Sequence, residues 1–261
     1  MPAKTLIDLN SDLGEAFGPW PMGDDATMLS IVTSANIACG GHASDPQTMF
    51  RTLSEAGARG VVIGAHPGYD DKIGFGRRVI PMSAEEIGQM VAAQIGALCG
   101  VAALSGVTVD YCKPHGALAN LAADDADVAR AILNAVRAQR EPLAILAISG
   151  TELERVAAEA DHPVYSEIFA DRAYLATGRL VPRVRPDAMI HDADAAADRI
   201  MRFLDSGLMP VVDGEPIPLK ANSICVHGDS PHAVTMASHI RKRLTEAGVK
   251  VAPFLTKQGS A

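Results

Sequence analysis

Short apolar segments alternate with longer amphipathic segments along most of the chain. The apolar segments predict β-strands, and the segments between them carry apolar side chains at helical spacing. Residues 143–148 form a nearly continuous apolar run, which is typical of a strand covered on both faces in a parallel sheet. The predicted strands are residues 5–7, 34–39, 60–65, 109–112, 143–148, 164–169, 223–226 and 249–251.

Helix start signals fall between these strands. Asp45 with Pro46 is an N-cap followed by a first-turn proline, and Ser83 with Glu86 has the spacing of a capping box. Seven or eight strand–helix units in a row predict an α/β fold with a (β/α) barrel, and an open doubly wound sheet is the alternative. The predicted helices are residues 24–30, 45–57, 83–104, 124–138, 151–160 and 191–207, and a last helix that carries His232 and His239.

The length of the chain fits one such barrel. Its 261 residues, 48% of them hydrophobic and 21% charged, can bury a large core. No internal repeat or low-complexity linker divides the sequence, so we expect a single barrel domain over residues 1–261. An insertion is expected at about residues 177–220, where a hairpin over residues 210–219 delays the next strand.

The amino-acid composition argues against some classes of binding partner. The net charge is −8, aromatic residues make up 4% of the chain, and Lys and Arg form no extended cluster, which argues against nucleic-acid binding. No run approaches the roughly 20 apolar residues of a membrane span, and the first residues lack a signal-peptide pattern. The cysteines form no CxxC pair, so reduced, buried thiols are expected. These features predict a cytoplasmic protein without a membrane partner.

Polar groups follow the first apolar run. Asp8 and Asn10 share one strand face because side chains alternate along a strand, and Asp12 and Glu15 follow in the expected turn. A core strand seldom ends in so many polar groups without a use. The alternative is an exposed turn in which Asp12 caps a helix.

The same arrangement recurs at the later strands. Candidate side chains in or just after them are Asn36, His42, His66, Lys113, His115, Glu167, His227 and Asp229. Because the carboxyl ends of the strands meet on one face of a barrel, we expect these groups to share one site. The alternative for each histidine is a hydrogen-bonded side chain in the core.

Some of these groups are metal ligands by type. Asp12, His42, His66 and His115 offer oxygen and nitrogen donors for a divalent metal ion that activates water. No HxxxH or HExxH pair fixes two ligands on one helix, so the spacing leaves the presence of a metal open.

Two irregular segments have the composition of functional loops. Residues 67–78 are rich in glycine and mixed in charge, and we expect them to cover the substrate. Residues 177–190 carry Arg179, Arg183 and Arg185 among prolines, in an extended loop that accepts an anion or contacts a partner chain. A solvated basic loop is the alternative for that segment.

Five motifs occur in order along the chain and together resemble the LamB/YcsF family. They are Asp-Leu-Asn-Ser-Asp-Leu-Gly-Glu at residues 8–15, Asn-Ile-Ala-Cys-Gly-Gly-His at 36–42, Gly-Ala-His-Pro-Gly-Tyr at 64–69, Lys-Pro-His-Gly-Ala-Leu at 113–118 and Val-His-Gly-Asp at 226–229. The resemblance spans nearly the whole chain. It implies an irregular barrel related to sugar hydrolases and polysaccharide deacetylases.

The resemblance also implies an activity. It is cleavage of 5-oxo-L-proline to L-glutamate coupled to ATP hydrolysis, with 5-oxoprolinase subunits B and C completing the enzyme. The sequence lacks the phosphate-binding pattern GxxxxGK[ST], so we expect ATP to bind to a partner or at a shared interface.

Opening a lactam requires a general base, a donor for the developing negative charge and an acid for the departing nitrogen. We assign Asp12 or Glu15 as the base, Lys113 as the charge stabiliser and His115 as the proton-transfer group. The expected substrate-binding residues are Asp8, Asn10, Asn36, His42, His66, Glu167, His227 and Asp229.

Two other functions fit the same residues. The first is a metal-dependent deacetylase or amidohydrolase acting on a small amide or sugar. The second is a non-catalytic module that binds 5-oxoproline and carries it to partner subunits.

Overall fold

In the computed structural model, which describes residues 6–228 and 232–255, seven parallel strands form a closed barrel. The expected strand start at Thr5 and the candidate Asp229 lie outside these residues. The strands, numbered along the chain, are β1 (Leu6–Leu13), β2 (Ser34–Ala38), β3 (Val62–His66), β4 (Tyr111–Cys112), β5 (Ala144–Ile148), β6 (Val164–Phe169), β7 (Leu208–Met209), β8 (Ile217–Pro218), β9 (Ser223–Cys225) and β10 (Lys250–Val251).

The barrel closes where β1 pairs in parallel with β2 on one side and with β9 on the other. The order around the barrel is β1, β2, β3, β4, β5, β6 and β9, and β10 adds to the start of β1. The predicted barrel is therefore confirmed, and the alternative of an open sheet is wrong. The hairpin expected before the last barrel strand is confirmed as the antiparallel pair β7 and β8.

The first strand is longer than the sequence predicted. β1 continues through Leu13, so Asp12 lies within the strand, where it pairs with Asn36 of β2. The expected turn at Asp12 is therefore wrong, and so is the alternative of an exposed turn with a helix cap there. Side chains alternate along a strand. Leu9 and Leu13 therefore pack into the core on one face of β1, while Asp12 faces the barrel lumen with the other acidic and amide groups.

Helices cover the outside of the barrel. The capping box of Ser83 and Glu86 and the N-cap at Asp45 are confirmed. α4 was not predicted, although its segment is rich in Ala and Leu, because no side chain caps its start. The helices are α1 (Asp25–Met28), α2 (Pro46–Ala58), α3 (Ala84–Leu104), α4 (Gly116–Asp124), α5 (Ala126–Arg137), α6 (Glu152–Glu159), α7 (Ala193–Ser206) and α8 (Ala233–Glu246).

The expectation that no run approaches the length of a membrane span is wrong for α3, which alone among the described helices is long and apolar enough by length and composition. This helix packs against α2 and α5 and buries Ile87, Val91 and Ile95 in the core. This is the usual environment of an apolar helix on a (β/α) barrel, where burial against neighbouring helices stabilises it.

Apolar side chains fill the amino end of the barrel. Val62, Tyr111 and Leu146 form a cluster there, and the ring of Phe254 packs on Tyr111 and Tyr165 at centroid distances of 5.1 and 4.8 Å. The segment after β10 thus covers this end. The polar site is left at the opposite, carboxyl end, as expected for parallel (β/α) barrels.

Candidate active site

The polar side chains expected at strand ends converge at the carboxyl end of the barrel, around a cavity of about 710 Å³. Of the described candidates, Asp8, Asn10, Glu15, Asn36 and His42 are buried but do not line this cavity. The candidates that line it are Asp12, His66, Lys113, His115, Glu167 and His227.

Lys113 is the central charged group of the site. Its Nζ lies 2.9 Å from Asp12 Oδ1 and 2.8 Å from Glu167 Oε1, and all three side chains are buried. Burial alone would lower the pKa of Lys113, but the neighbouring carboxylates raise that pKa well above its ordinary value. The site therefore holds a charged ammonium at neutral pH.

The two carboxylates beside Lys113 are not equivalent. Burial raises the pKa of Asp12, yet His66 and Lys113 outweigh burial and hold that pKa well below its ordinary value. Burial dominates at Glu167 and raises its pKa, although Lys113 opposes the rise. Glu167 Oε2 is buried and has no hydrogen-bond partner within the described part of the chain, so it can accept a hydrogen bond from a ligand.

Two buried amides fix the orientation of these carboxylates. Asn36 Nδ2 donates to Asp12 Oδ1 at 2.8 Å and to Asn10 Oδ1 at 2.7 Å. Asn10 Nδ2 donates to Glu167 Oε1 at 3.0 Å, and Tyr111 Oη donates to Asn36 Oδ1 at 2.6 Å. These residues hold the charged groups rather than facing the cavity.

Asp8 lies deeper in the lumen than the other acidic candidates. Its Oδ1 accepts hydrogen bonds from Thr33 at 2.5 Å and Ser34 at 2.7 Å, and its Oδ2 accepts one from Ser223. Burial raises the pKa of Asp8 to about 6. Asp8 therefore joins β1 to its two neighbouring strands and does not reach the cavity.

A second group of buried ligands lies beside Asp12. Potential ligand atoms of Glu15, His42, His66 and His115 all lie within 4.8 Å of one another. The rings of His42 and His115 stack at a centroid distance of 3.6 Å, and His66 Nε2 lies 3.4 Å from Asp12 Oδ2. Glu15, expected as a catalytic base, thus joins the histidines, while Asp12, expected as a ligand, lies next to them.

The hydrogen bonds of these histidines leave ring nitrogens that can bind a metal ion. His66 Nδ1 lies 2.7 Å from the Lys113 carbonyl, and His115 Nε2 lies 2.9 Å from the Phe75 carbonyl. Carbonyl oxygens only accept, so these nitrogens donate, and in the neutral rings His66 Nε2 and His115 Nδ1 face each other at 3.0 Å as acceptors. Metal-binding histidines use their second nitrogen in this way.

Two further observations support the same fit. His42 Nδ1 is buried and has no hydrogen-bond partner among the described residues. Burial and the neighbouring histidines lower the pKa values of His42 and His115 well below the ordinary range, which favours the neutral, ligating form. The residues present can therefore hold a divalent metal ion.

His227 forms a separate pair on the cavity wall. Its Nδ1 lies 2.9 and 2.8 Å from the two carboxylate oxygens of Asp171, and its ring stacks on Phe169 at 5.3 Å. Burial would raise the pKa of Asp171, but His227 outweighs burial and lowers it. Asp171 was not among the candidates expected from the sequence, although its position two residues after β6 is the same strand-end signal that identified the others.

The glycine-rich loop expected over the substrate packs on the histidine group. A Cβ on Gly76, which has a φ of +61°, would lie 2.6 Å from His42 Cβ and 2.9 Å from His115 Cδ2. A Cβ on Gly68 would lie 2.9 Å from His42 Nδ1. The absence of side chains at these positions allows the backbone to contact the imidazole rings directly.

Comparisons with known proteins agree with this fold. The LamB/YcsF family model matches residues 7–259. The chain is 48% identical over 252 residues to a protein of Pseudomonas syringae pv. tomato whose name is that of a 5-oxoprolinase A subunit, covering 97% of this chain and 98% of that protein.

Comparison with solved structures also supports this fold. The lactam utilization protein of Thermus thermophilus is 39% identical, with a TM-score of 0.89 over 95% of this chain and 99% of the other. The catalytic domain of a peptidoglycan N-acetylglucosamine deacetylase from Eubacterium rectale is 9% identical, with a TM-score of 0.52 over 98% and 90% of the two chains. The second likeness concerns the fold alone, and it agrees with the expected barrel.

Proposed function

Because the chain belongs to the LamB/YcsF family, we propose that it is the A subunit of an ATP-dependent 5-oxoprolinase, which opens 5-oxo-L-proline to L-glutamate. The observation that carries this proposal is the full-length similarity to a protein with the name of a 5-oxoprolinase A subunit. The buried Lys113 between two carboxylates supports it, because amide hydrolysis requires charged groups fixed in a site with little water.

The lactam is a poor electrophile and needs activation. Transfer of the terminal phosphoryl group of ATP to the lactam oxygen gives an activated ring. Water then adds to the ring carbon, the ring C–N bond breaks, and the nitrogen takes up a proton to give an acyl phosphate. A second water hydrolyses the acyl phosphate to glutamate and phosphate. The site must therefore stabilise negative charge on oxygen and supply a proton to nitrogen.

The groups around Lys113 fit the first requirement. The Lys113 ammonium donates to the oxygen on which negative charge develops. Asp12, which is ionised because of its lowered pKa, accepts a proton from the attacking water. Glu167 Oε2 accepts the ring N–H of the unactivated lactam and so orients the ring.

The pair of His227 and Asp171 fits the second requirement. Asp171 binds His227 Nδ1, so the opposite ring nitrogen carries a proton only when the imidazole is charged. His227 then donates this proton to the departing nitrogen. His115 is less suited to that role, because its Nε2 donates to the Phe75 carbonyl and its Nδ1 faces His66.

The histidine group has its own role in this proposal. Glu15, His42, His66 and His115 would hold a divalent metal ion. Such an ion supplies a Lewis acid that polarises a carbonyl oxygen and lowers the pKa of water. Asp12 adjoins the group, with its Oδ2 3.4 Å from His66 Nε2, so its negative charge would also favour a cation there.

ATP binding is assigned to the partner subunits B and C. The chain has no GxxxxGK[ST] sequence, and the name of its relative, as one subunit of an enzyme, implies a multi-subunit complex. ATP coupling and the free cysteines support a cytoplasmic location for the complex.

Reconstitution tests the proposal. Glutamate release from 5-oxoproline is measured with the chain alone, with subunits B and C alone, and with the mixture, each with and without ATP. We expect turnover only in the complete mixture with ATP. A complete mixture that hydrolyses ATP but releases no glutamate would contradict the assignment.

The histidine group favours one second candidate, a metal-dependent amidohydrolase that needs no ATP. That enzyme would hydrolyse small amides as the isolated chain, and a chelator would abolish its activity. Tight binding of 5-oxoproline, with full activity of the mixture after Lys113→Met substitution, would instead indicate a non-catalytic carrier.

A further inference from the structure

Arginines from three separate segments meet on the wall of the active-site cavity. Arg77 lies near the end of the glycine-rich loop, Arg172 follows β6, and Arg183 lies in the proline-containing loop before α7. None of the motifs in the sequence contains Arg77 or Arg172, and Arg183 was expected in an extended loop that accepts an anion or contacts a partner chain. Their convergence is a property of the folded chain.

Arg172 is the most constrained of the three. Only 6% of the residue is exposed, and its Nη2 donates to the Val181 carbonyl at 2.7 Å. Its backbone forms an isolated antiparallel β-bridge with Met189. Its Nε is buried and has no hydrogen-bond partner within residues 6–228 and 232–255. A buried guanidinium that keeps an unused donor is costly unless an acceptor enters the site.

The charges around Arg172 indicate the sign of that acceptor. Burial is the main cause that lowers the pKa of Arg172 to about 10, and the positive charge of Arg183 lowers it by more than the neighbouring Asp171 raises it. Asp171 binds His227 with both carboxylate oxygens. An anion would therefore relieve the repulsion between the guanidinium groups.

We propose that Arg77, Arg172 and Arg183 form an oxyanion subsite of the cavity, which binds the carboxylate of the lactam substrate or a phosphoryl group on its activated form. This inference rests on the proposed function, because it assigns the substrate of that same site. Guanidinium groups match carboxylate and phosphate in a planar, two-point geometry, which accounts for arginine rather than lysine at all three positions.

The position of the subsite suits the reaction. Arg77 is two residues after Phe75, whose carbonyl accepts from His115 Nε2 at 2.9 Å, and Arg172 directly follows Asp171, which binds His227. An anion held by the arginines would therefore lie between the histidine group and the His227 pair. The cavity of about 710 Å³ is in the range that accommodates drug-sized ligands, so it has room for a lactam ring and an additional oxyanion.

Calorimetric titration of the full-length chain tests the subsite. The probes are inorganic phosphate, 5-oxo-L-proline and 2-pyrrolidinone, which has the same ring without the carboxylate. The variants are Arg172→Lys, which keeps the charge but loses the planar fork, and Arg183→Gln at the half-buried edge of the cavity. Arg185→Gln is the control, because Arg185 pairs with Asp187 at 2.6 Å outside the cavity lining.

For at least one anionic probe, we expect the affinity of both variants to be about tenfold or more lower than that of wild type. The affinity of the control should be unchanged. If 5-oxoproline displaces phosphate and 2-pyrrolidinone does not, the subsite takes the substrate carboxylate. If phosphate and 5-oxoproline bind together, it takes the phosphoryl group. Thermal melts show whether each variant folds. If Arg172→Lys does not fold, the comparison of Arg183→Gln with the control decides the test.

Two outcomes would overturn the subsite. One is that neither anion binds the wild-type chain, and the other is that both variants bind the anions as tightly as the control does. The test is separate from that of the proposed function. If the variants lose anion binding but the wild-type mixture releases no glutamate, the proposed function is refuted and the subsite stands. If the Arg183→Gln mixture turns over with unchanged KM and unchanged anion binding, the subsite is refuted and the proposed function stands.

Discussion

One buried ammonium lies between two carboxylates at the base of the cavity. Lys113 contacts Asp12 of β1 and Glu167 of β6, and all three side chains are nearly inaccessible to water. Removing one partner of a buried ion pair leaves the other charge without compensation, which costs more than the pair itself contributes. Lys113 should therefore matter to folding as well as to catalysis.

We predict that Lys113→Met lowers the free energy of unfolding by about 3–5 kcal/mol, measured by urea denaturation at pH 7. Turnover of the reconstituted mixture should fall by about 100-fold or more, because the charge stabiliser is lost. Lys220→Met, at an exposed position, is the matched control and should change neither quantity.

A double variant separates the two effects. Lys113→Met with Glu167→Gln removes one of the uncompensated carboxylates, so part of the lost stability should return while turnover stays low. If the single variant were as stable as wild type and active within about threefold, Lys113 would have neither role.

The strands and helices show which parts of the fold the sequence predicts. Apolar runs identified the barrel strands, and their polar ends identified the candidates that line the cavity. The end of β1 was missed because Ser11, between Leu9 and Leu13, interrupts the apolar alternation. Ser11 instead donates to the Val226 carbonyl at 2.6 Å, a contact between strands that are distant in sequence. The use of Asp171 and Arg172 likewise depends on partners brought close only by folding.

The glycine-rich loop supports the histidine group by direct backbone contact. Gly76 and Gly106 both have positive φ, at +61° and +67°, so alanine at either position introduces backbone strain of roughly 1–2 kcal/mol. Only at Gly76 would the new Cβ meet His42 and His115, since a Cβ at Gly106 has no neighbour within 4 Å. The two substitutions therefore separate strain from displacement of the histidines.

We predict that Gly76→Ala weakens binding of Zn²⁺ or Co²⁺ by about 10- to 100-fold, as loss of outer-shell support does at other metal sites. Gly106→Ala should leave metal affinity unchanged while lowering the melting temperature. Competition with a chromogenic chelator measures the affinity. Equal metal affinities in the two variants would show that the loop does not position the ligands.

Closure of the whole barrel depends on polar contacts in its lumen. Asp8 on β1 accepts hydrogen bonds from Ser34 of β2 and Ser223 of β9, so one carboxyl group joins the three strands at the closing edge. Asn10 makes a similar connection, with Nδ2 donating to Ser223 at 2.6 Å. Because these bonds are buried, the protonation state of Asp8 affects the stability of the molecule rather than the chemistry of the cavity.

The raised pKa of Asp8 determines whether the stability of the protein rises or falls with pH. Burial raises that pKa from 3.8 to about 6, so between these values the folded protein binds more protons than the unfolded chain. The contribution of Asp8 to stability is thus fully present below pH 3.8 and is lost as the pH rises through about 6. The whole shift corresponds to about 3 kcal/mol, since one pKa unit is worth ~1.4 kcal/mol.

We therefore predict that the free energy of unfolding of wild type, relative to Asp8→Asn, falls by up to about 3 kcal/mol between pH 4 and pH 7. The asparagine has no charge to bury at either pH, so the difference isolates this one group from the other titrating residues. Asp205→Asn, on the exposed face of α7, should follow the wild-type curve. Urea denaturation at several pH values measures all three proteins. A constant difference between wild type and Asp8→Asn would mean that the three hydroxyl donors compensate fully for burial and that the closing edge tolerates the charged carboxylate.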